Sequence, residues 1–457
     1  MAGPDRQCVG ITDGSYHFSD DLAGVSELIR AENAKIIGSD FVSVVYLTPL
    51  LPSADGTATA DSIRHEIEGA YLAQQQADET NTYGDAPKIR LLLANSGTSA
   101  DQRTAALAEI RSRIVPDRII AVAGLGTSTD AAVKMIGGVT GDTAQGGLQL
   151  GAVASALTAD TLGAVNGLVR TAPTNTDEAA AAASFLSKPP YAALKVMIVE
   201  DVRADDQYTK TLASAFLKAL PKGRRVGQIE QYDSSQQGVA TAFATRMATL
   251  CAARPDVVYF AGRGVDLAPF LAPLRTRSCA ERPLIVLSGD DASQAAQAQG
   301  FNEIKDTLKS AKVRLIYTGL AHPGAWTAHG VSYPPAAVSA FRDAHGPFAS
   351  AFPVETLDDG QAIMGFDAVL TTVVGARLAS QSPGINGRVT GSEMIQIWKS
   401  LHSVQAVPGA SGYISFDEVG SPTDKAVPIV EITATGAVVT LTVSAASGTP
   451  FVPPDPG

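Results

Sequence analysis

Adjacent acids, hydroxyl-rich loops and one arginine between glycines are the residues of this chain whose types and spacing suit chemistry. Asp290-Asp291 directly follows the apolar run 284–288, while Asp205-Asp206 and Asp358-Asp359 are further acidic pairs. A carboxylate at 290 or 291 suits capture of an ammonium group or, as a base, proton transfer. Adjacent acids in loops otherwise read as solvated surface, the reading that fits Asp358-Asp359. Gly126-Thr127-Ser128 opens a helical pattern, and Ser155-Ala156-Leu157-Thr158 follows a strand-like run. Such loops offer backbone N–H groups and a positive helix end to a carboxylate, although Thr127 and Ser128 taken singly fit an ordinary helix cap equally well. Arg263, in Gly262-Arg263-Gly264, is suited to pairing with an acidic group of a ligand.

Motifs of catalysis and cofactor binding are missing. The six histidines, at 17, 65, 322, 329, 345 and 402, form no His-Glu-x-x-His pattern and no Cys/His cluster, which argues against a zinc enzyme. There is no phosphate-binding Gly-x-x-x-x-Gly-Lys-Ser/Thr loop. Gly124-Leu125-Gly126 lacks the third glycine of the dinucleotide fingerprint and stands at the fourth strand. No Gly-x-Ser-x-Gly elbow occurs, and Ser411 precedes a late strand. No metal and no cofactor is expected.

The elements that must position these residues alternate in the manner of βαβ units. Strand runs at 8–12, 41–47, 89–94, 119–123 and 147–153 are separated by helical patterns at 20–33, 61–80, 101–114 and 129–136. A second unit opens after residue 173, with strands at 195–199, 226–232, 257–261, 284–288 and 313–318 and helices at 176–187, 207–219, 238–253 and 265–276. Helices at 336–344, 361–380 and 392–401 precede a terminal β region at 412–416, 427–433 and 438–443. The expected fold is α/β, with two doubly wound parallel-sheet lobes joined by a three-segment hinge. The first lobe would hold 1–172 and 321–420, the second 173–320 and 421–446, with 447–457 as a tail. Open α/β sheets bind ligands at the carboxyl ends of their strands. That rule gathers Asp13 to Tyr16, Thr127, Ser128, Ser155 and Thr158 on one rim, and 201–208, Arg263, Asp290 and Asp291 on the other.

Composition sets outer limits. The 457 residues carry 35 basic against 46 acidic side chains, and the net charge of −11 argues against nucleic acid or an anionic membrane as the main partner. No run of about 18 uninterrupted apolar residues occurs. The opening residues have no apolar signal region, and the chain reads best as a domain excised from a longer protein. Of the three cysteines, Cys251 and Cys279 each close a helix just before neighbouring parallel strands, which permits a disulfide and favours an extracytoplasmic location, while two buried free thiols are the alternative. Cys8 is left over.

Val122 to Thr129, Val169 to Pro173, Tyr208 to Leu212, Asp256 to Gly262 and Gly409 to Gly420 together resemble the type I periplasmic binding proteins. The likeness is to the leucine/isoleucine/valine-binding group of ABC-transporter substrate-binding proteins and extends over nearly the whole chain. It implies a non-catalytic solute binder that closes on an amino acid or similar small polar carboxylate and hands it to a membrane permease. It also implies that Thr127, Ser128, Ser155 and Thr158 hold the ligand's carboxylate. Tyr208 becomes the pocket aromatic and Asp291, or Asp290 in a shifted register, the acid for an ammonium. Tyr16 and Phe18 wall the pocket or pack within the lobe. Arg263 stands where many members carry an aromatic, which points to a more polar or acidic ligand. A sensor ectodomain of a larger receptor, or an enzyme using Asp290 or Asp291 as base, are the alternatives.

Overall fold

A computed structural model describes residues 7–52, 58–162, 165–296, 300–382 and 388–454, so the last three residues of the expected tail lie outside it. The chain begins with β1 (Gly10–Thr12), α1 (Ala23–Lys35), β2 (Phe41–Thr48), α2 (Ala60–Glu79), β3 (Lys88–Asn95) and α3 (Ala100–Arg113). It continues with β4 (Ile119–Gly124), α4 (Asp130–Thr140), β5 (Gly151–Ala154) and β6 (Leu168–Arg170). These strands form one sheet in the order β1-β3-β2-β4-β5-β6, parallel throughout except for β1, which runs antiparallel to β3. Strands such as β2, Phe-Val-Ser-Val-Val-Tyr-Leu-Thr, are near-continuous β-branched and apolar runs because helices cover both faces. Val44, Leu91 and Ala121 pack on one side with Ile67 and Phe366; Val45, Leu92 and Val122 pack on the other with Ile110 and Ile136.

The second sheet follows from α5 (Asn175–Ser187), β7 (Val196–Asp201), α6 (Gln207–Ala219), β8 (Glu230–Tyr232), α7 (Val239–Ala253) and β9 (Val257–Ala261). After these come α8 (Leu267–Leu271), β10 (Leu284–Ser288), α9 (Phe301–Ser310) and β11 (Val313–Thr318). The chain then returns to the first lobe through α10 (Pro335–Arg342), α11 (Pro347–Ala351), α12 (Gln361–Ser380), α13 (Gly391–Ile397), β12 (Val407–Gly409) and β13 (Gly412–Ile414). Phe341, Phe366, Trp398 and Ile414 of this segment belong to the same core as the first sheet. The chain crosses once more to add β14 (Val427–Ile432) and β15 (Val438–Ser444) to the second sheet, ordered β15-β14-β11-β10-β9-β7-β8, with β14 and β15 antiparallel.

α12 is 20 residues long and apolar enough to pass for a membrane span, yet it is almost wholly buried in the first lobe. Its contact with α2 is backbone to backbone: a Cβ at Gly69 would lie 1.7 Å from Ala362 O, and one at Gly365 would lie 2.0 Å from Glu66 O. Only glycine permits that approach. The start of α2 is fixed by a reciprocal cap, Thr59 with Ser62, and α3 by Ser99 with Gln102. At the far end of α12's segment, buried Asp367 accepts hydrogen bonds from Ala410 N (2.6 Å), Ser411 N (3.0 Å) and the Ser411 hydroxyl, and buried Lys425 donates to Ser411 O (2.5 Å). That network fastens the β12-β13 hairpin to the helix.

Two elements differ from the sequence expectation in kind. β1 is antiparallel, so its carboxyl end lies at the opposite edge of the sheet from those of β2 to β5. α9, between Gly300 and Ala311, has no counterpart among the elements read from the sequence; Ile304 and Leu308 are buried one turn apart.

Cys251 and Cys279 form a disulfide with Cα atoms 5.6 Å apart, joining the end of α7 to the approach to β10. Replacing both by serine should lower unfolding free energy by about 3–4 kcal/mol in urea titrations, as loop closure across 28 residues implies. A second test concerns His65 on α2, buried with Nδ1 2.7 Å from Asp359 Oδ2 and Nε2 3.0 Å from Glu355 Oε2. Burial opposes its charge, but Asp359 and then Glu355 outweigh it and lift the pKa to about 9. Because the folded pKa exceeds the unfolded value, the stabilisation is complete below about pH 6.5 and is lost as pH rises through about 9. Relative to His65→Gln, the wild type should lose about 3 kcal/mol between pH 6 and pH 9.5.

Candidate functional site

A cavity of about 270 Å³ lies between the two sheets' carboxyl edges. From the first lobe it is lined by Ser62, Ile63 and Glu66 of α2, Ser96 to Thr98 and Arg103 around the start of α3, and Leu125 to Thr129 before α4, with Ala156 and Thr158 after β5. From the second come Arg203, Asp205, Tyr208, Arg263, Asp290, Asp291 and Gln294. Gln361 opens α12 at its edge.

The lobes meet across this cavity. Tyr208 N donates to Ser128 O (3.3 Å), Asp130 N donates to Asp205 O (3.3 Å), and Gln207 Nε2 donates to Asp130 Oδ1 (2.5 Å). Ser128 also ties the first-lobe loops together, since its hydroxyl accepts from Thr158 N (3.0 Å) and Ala159 N (3.2 Å). Thr129 caps α4 by accepting from Ala132 N, which leaves Thr127 on the cavity wall. Thr158 is buried and its hydroxyl has no hydrogen-bond partner among the described residues. A buried hydroxyl without a partner costs free energy, and a ligand oxygen in the cavity would relieve it.

In the second lobe one buried guanidinium is shared between two carboxylates. Arg263 is buried, donating from Nε to Asp206 Oδ2 (2.7 Å), from one Nη to Asp206 Oδ1 (2.9 Å) and from the other to Asp291 Oδ1 (3.2 Å). Its guanidinium lies over the Tyr208 ring at 4.5 Å. Asp291 Oδ2 accepts from Gly264 N (2.5 Å). Burial pulls against the arginine's charge, while Asp291 and Asp206 hold it protonated and push its pKa up. Asp206 further caps α6, accepting from Tyr208 N (2.9 Å) and Thr209 N (3.3 Å). Asp290 is pushed up to about 7 by burial and by the charge of Asp291, and its Oδ1 has no hydrogen-bond partner among the described residues. Thr318 Oγ1 donates to Glu178 Oε2 (2.8 Å). Burial and the charge of Asp290 push the Glu178 carboxyl up as well.

Thr127, Ser128, Thr158, Tyr208, Arg263, Asp290 and Asp291 thus line one cavity. Tyr16 does not. It is 49% exposed and packs edge-on against Phe18 beside Cys8 in a separate surface groove, because β1 runs antiparallel and delivers the following loop to the other end of the sheet. Ser155 is also off the wall, buried behind it, where its hydroxyl donates to Glu66 Oε1. The expectations that Asp291 meets a ligand ammonium and Arg263 a ligand acid encounter groups already paired with each other. Glu66 and Arg103 were not read from the sequence. Both sit inside ordinary amphipathic helices, and only the α2–α12 crossing and the β3–α3 loop bring them to the cavity.

His65, Glu68 and Glu355 place three potential ligand atoms within 4.8 Å of one another. The imidazolium of His65 donates from both ring nitrogens and so has no lone pair for a metal.

No family model matches the chain, and no curated protein is similar to it in sequence. Solved structures are similar in fold. The leucine-binding protein LivK of Thermotoga maritima is 19% identical, with 88% of this chain and 98% of that one covered at a TM-score of 0.63. The branched-chain amino acid transporter substrate-binding protein LivJ of Streptococcus pneumoniae, solved with isoleucine, is 16% identical, with 89% and 99% covered at 0.63. A solute-binding protein of an ABC transporter from R. palustris, solved with benzoate, is 14% identical, with 92% and 98% covered at 0.58. The chain has the type I periplasmic binding protein fold.

Arg263→Met should cost about 3–5 kcal/mol in urea unfolding, because Asp206 and Asp291 are left buried without a counter-charge. Tyr16→Ala, at an exposed position away from the cavity, should change stability by no more than about 0.5 kcal/mol.

Proposed function

We propose that this chain is an extracytoplasmic solute-binding protein that closes its two lobes on a small carboxylate-bearing solute, an amino acid or a relative of one, and delivers it to an ABC permease. The observation that carries this reading is the cavity itself: small, lined from both lobes, and bridged by backbone hydrogen bonds between 128–130 and 205–208 that exist only when the lobes are together. Its volume suits a solute of amino-acid size. The ligand carboxylate is taken by Thr127, Ser128 and the orphan Thr158 hydroxyl at the start of α4, with Tyr208 closing the pocket from the opposite lobe. Closure is then the signal: a solute touching both lobes favours the closed state by its difference in affinity for the two states. The fold's solved examples are substrate-binding proteins with amino acid or benzoate ligands, which supports transport, and the disulfide supports an oxidising location.

A thermal-shift screen against the twenty amino acids and a panel of small organic acids tests this. A solute at about 1,000 times its Kd adds about 4 kcal/mol to stability, so the midpoint should rise by several degrees for one chemical class. Mass spectrometry after overnight incubation should recover that solute unchanged. Turnover would replace the reading with an enzyme, and a flat screen would remove the solute-binding role.

A further inference from the structure

Glu66 and Arg103, on the first lobe's side of the cavity wall, have no counter-charge among the described residues. Glu66 is 8% exposed and takes both of its hydrogen bonds on one carboxylate oxygen, Oε1, from Tyr46 OH (2.7 Å) and from Ser155. Its Oε2 has no hydrogen-bond partner and the group has no ion-pair partner among the described residues. Burial pushes its pKa up, as expected of a carboxylate that meets only neutral donors. Arg103, on the first turn of α3, donates to Thr98 O (2.6 Å) and has no carboxylate partner among the described residues; burial alone pulls its pKa down. In the second lobe Arg263 is paired with Asp206 and Asp291 and Arg203 with Asp205 (2.7 Å), while Asp290 has no ion-pair partner among the described residues and is lifted to about 7 by burial and by the charge of Asp291.

Resting on the solute-binding reading, we infer that the ligand is zwitterionic, its cationic group met by Glu66 and its carboxylate by Arg103 together with the 127–129 loop. A buried unpaired charge such as Glu66 is costly, and a solute cation removes that cost on binding; Arg103 is half-buried and unpaired and offers a solute carboxylate a smaller gain. A cationic solute would leave Arg103 unmatched, and an amine-free acid would leave Glu66 unmatched. Ser155 is then a positioning residue, since its hydroxyl fixes the Glu66 oxygen that faces away from the ligand. Arg263 holds Tyr208 and the 290–291 turn in shape without meeting the solute's charge.

The experiment is calorimetric titration of the intact chain and its variants Glu66→Gln, Arg103→Met and Asp290→Asn, each checked for native stability in urea. The probes are the twenty L-amino acids, 4-aminobutanoate and glycine betaine, the amine-free acids 4-methylpentanoate, 3-phenylpropanoate and benzoate, and the amines 3-methylbutylamine and 2-phenylethylamine. The wild type should bind at least one zwitterion and bind the amine-free acids and the amines at least about tenfold more weakly. Glu66→Gln should weaken that zwitterion by about tenfold or more while leaving the amine-free acids within about threefold, and Arg103→Met should weaken zwitterion and acids alike. Asp290→Asn should leave the zwitterion within about threefold. Zwitterion affinity kept in Glu66→Gln but lost in Asp290→Asn would overturn the inference in favour of a second-lobe acid. A wild type that binds only amine-free acids would overturn the inference and leave the solute-binding reading standing. Failure of every probe would remove the reading on which it rests.

Discussion

The approach of α2 to α12, permitted by Gly69 and Gly365, is the constraint on which the rest of the first lobe depends. Backbones that close leave no room for side chains between the helices, so the neighbouring residues of α2 are forced outward in fixed directions. Glu66 is turned toward the cavity and His65 toward the 355–359 loop, where two carboxylates hold it protonated. The same crossing brings Arg377, at the other end of α12, to Ala77 O (2.7 Å). A larger residue at either glycine would separate the helices and loosen all of these contacts at once.

Buried charge is distributed unevenly between the lobes, and the unevenness has chemical meaning. Arg263 with Asp206 and Asp291 is a closed ion cluster with an aromatic lid, whose carboxylates are further satisfied by backbone N–H groups. Such a cluster rigidifies the second-lobe rim and, with two carboxylates to one guanidinium, keeps a net negative charge. Across the cavity, Glu66 and Arg103 are supported by neutral donors and acceptors only. The solute's own charges complete the electrostatics there, which couples recognition to the lobe that the return segment 321–416 builds.

Much of the fold was legible because buried parallel strands write themselves as short, continuous apolar runs. β9, β10 and β11 start and stop where the runs 257–261, 284–288 and 313–318 do, and α12 matches its apolar span. The disulfide is one of the two outcomes that the same reasoning left open, since two cysteines before adjacent parallel strands are placed within reach of each other. Strand direction was not legible. β1 is three residues long, and nothing in Gly-Ile-Thr distinguishes an antiparallel edge strand from a parallel one. That single ambiguity carried Tyr16 to the wrong end of the sheet. β6, at Leu168–Arg170, is too short to register as a strand run, whereas α9 is longer than α10 and went unread despite its amphipathic pattern.

The sequence by itself determined the two-lobed α/β architecture and the loops that form the cavity rim, because apolar periodicity and strand-end chemistry are local properties of the chain. It also brought Thr127, Ser128, Thr158, Tyr208, Arg263, Asp290 and Asp291 to one place. The tertiary structure alone decided which of those charges are free. Whether Asp291 faces a solute or Arg263, and whether Glu66 on a helix face meets water or a cavity, depends on contacts between residues far apart in the chain. Coulombic pairing acts through space over a few ångströms, and that distance is set by packing.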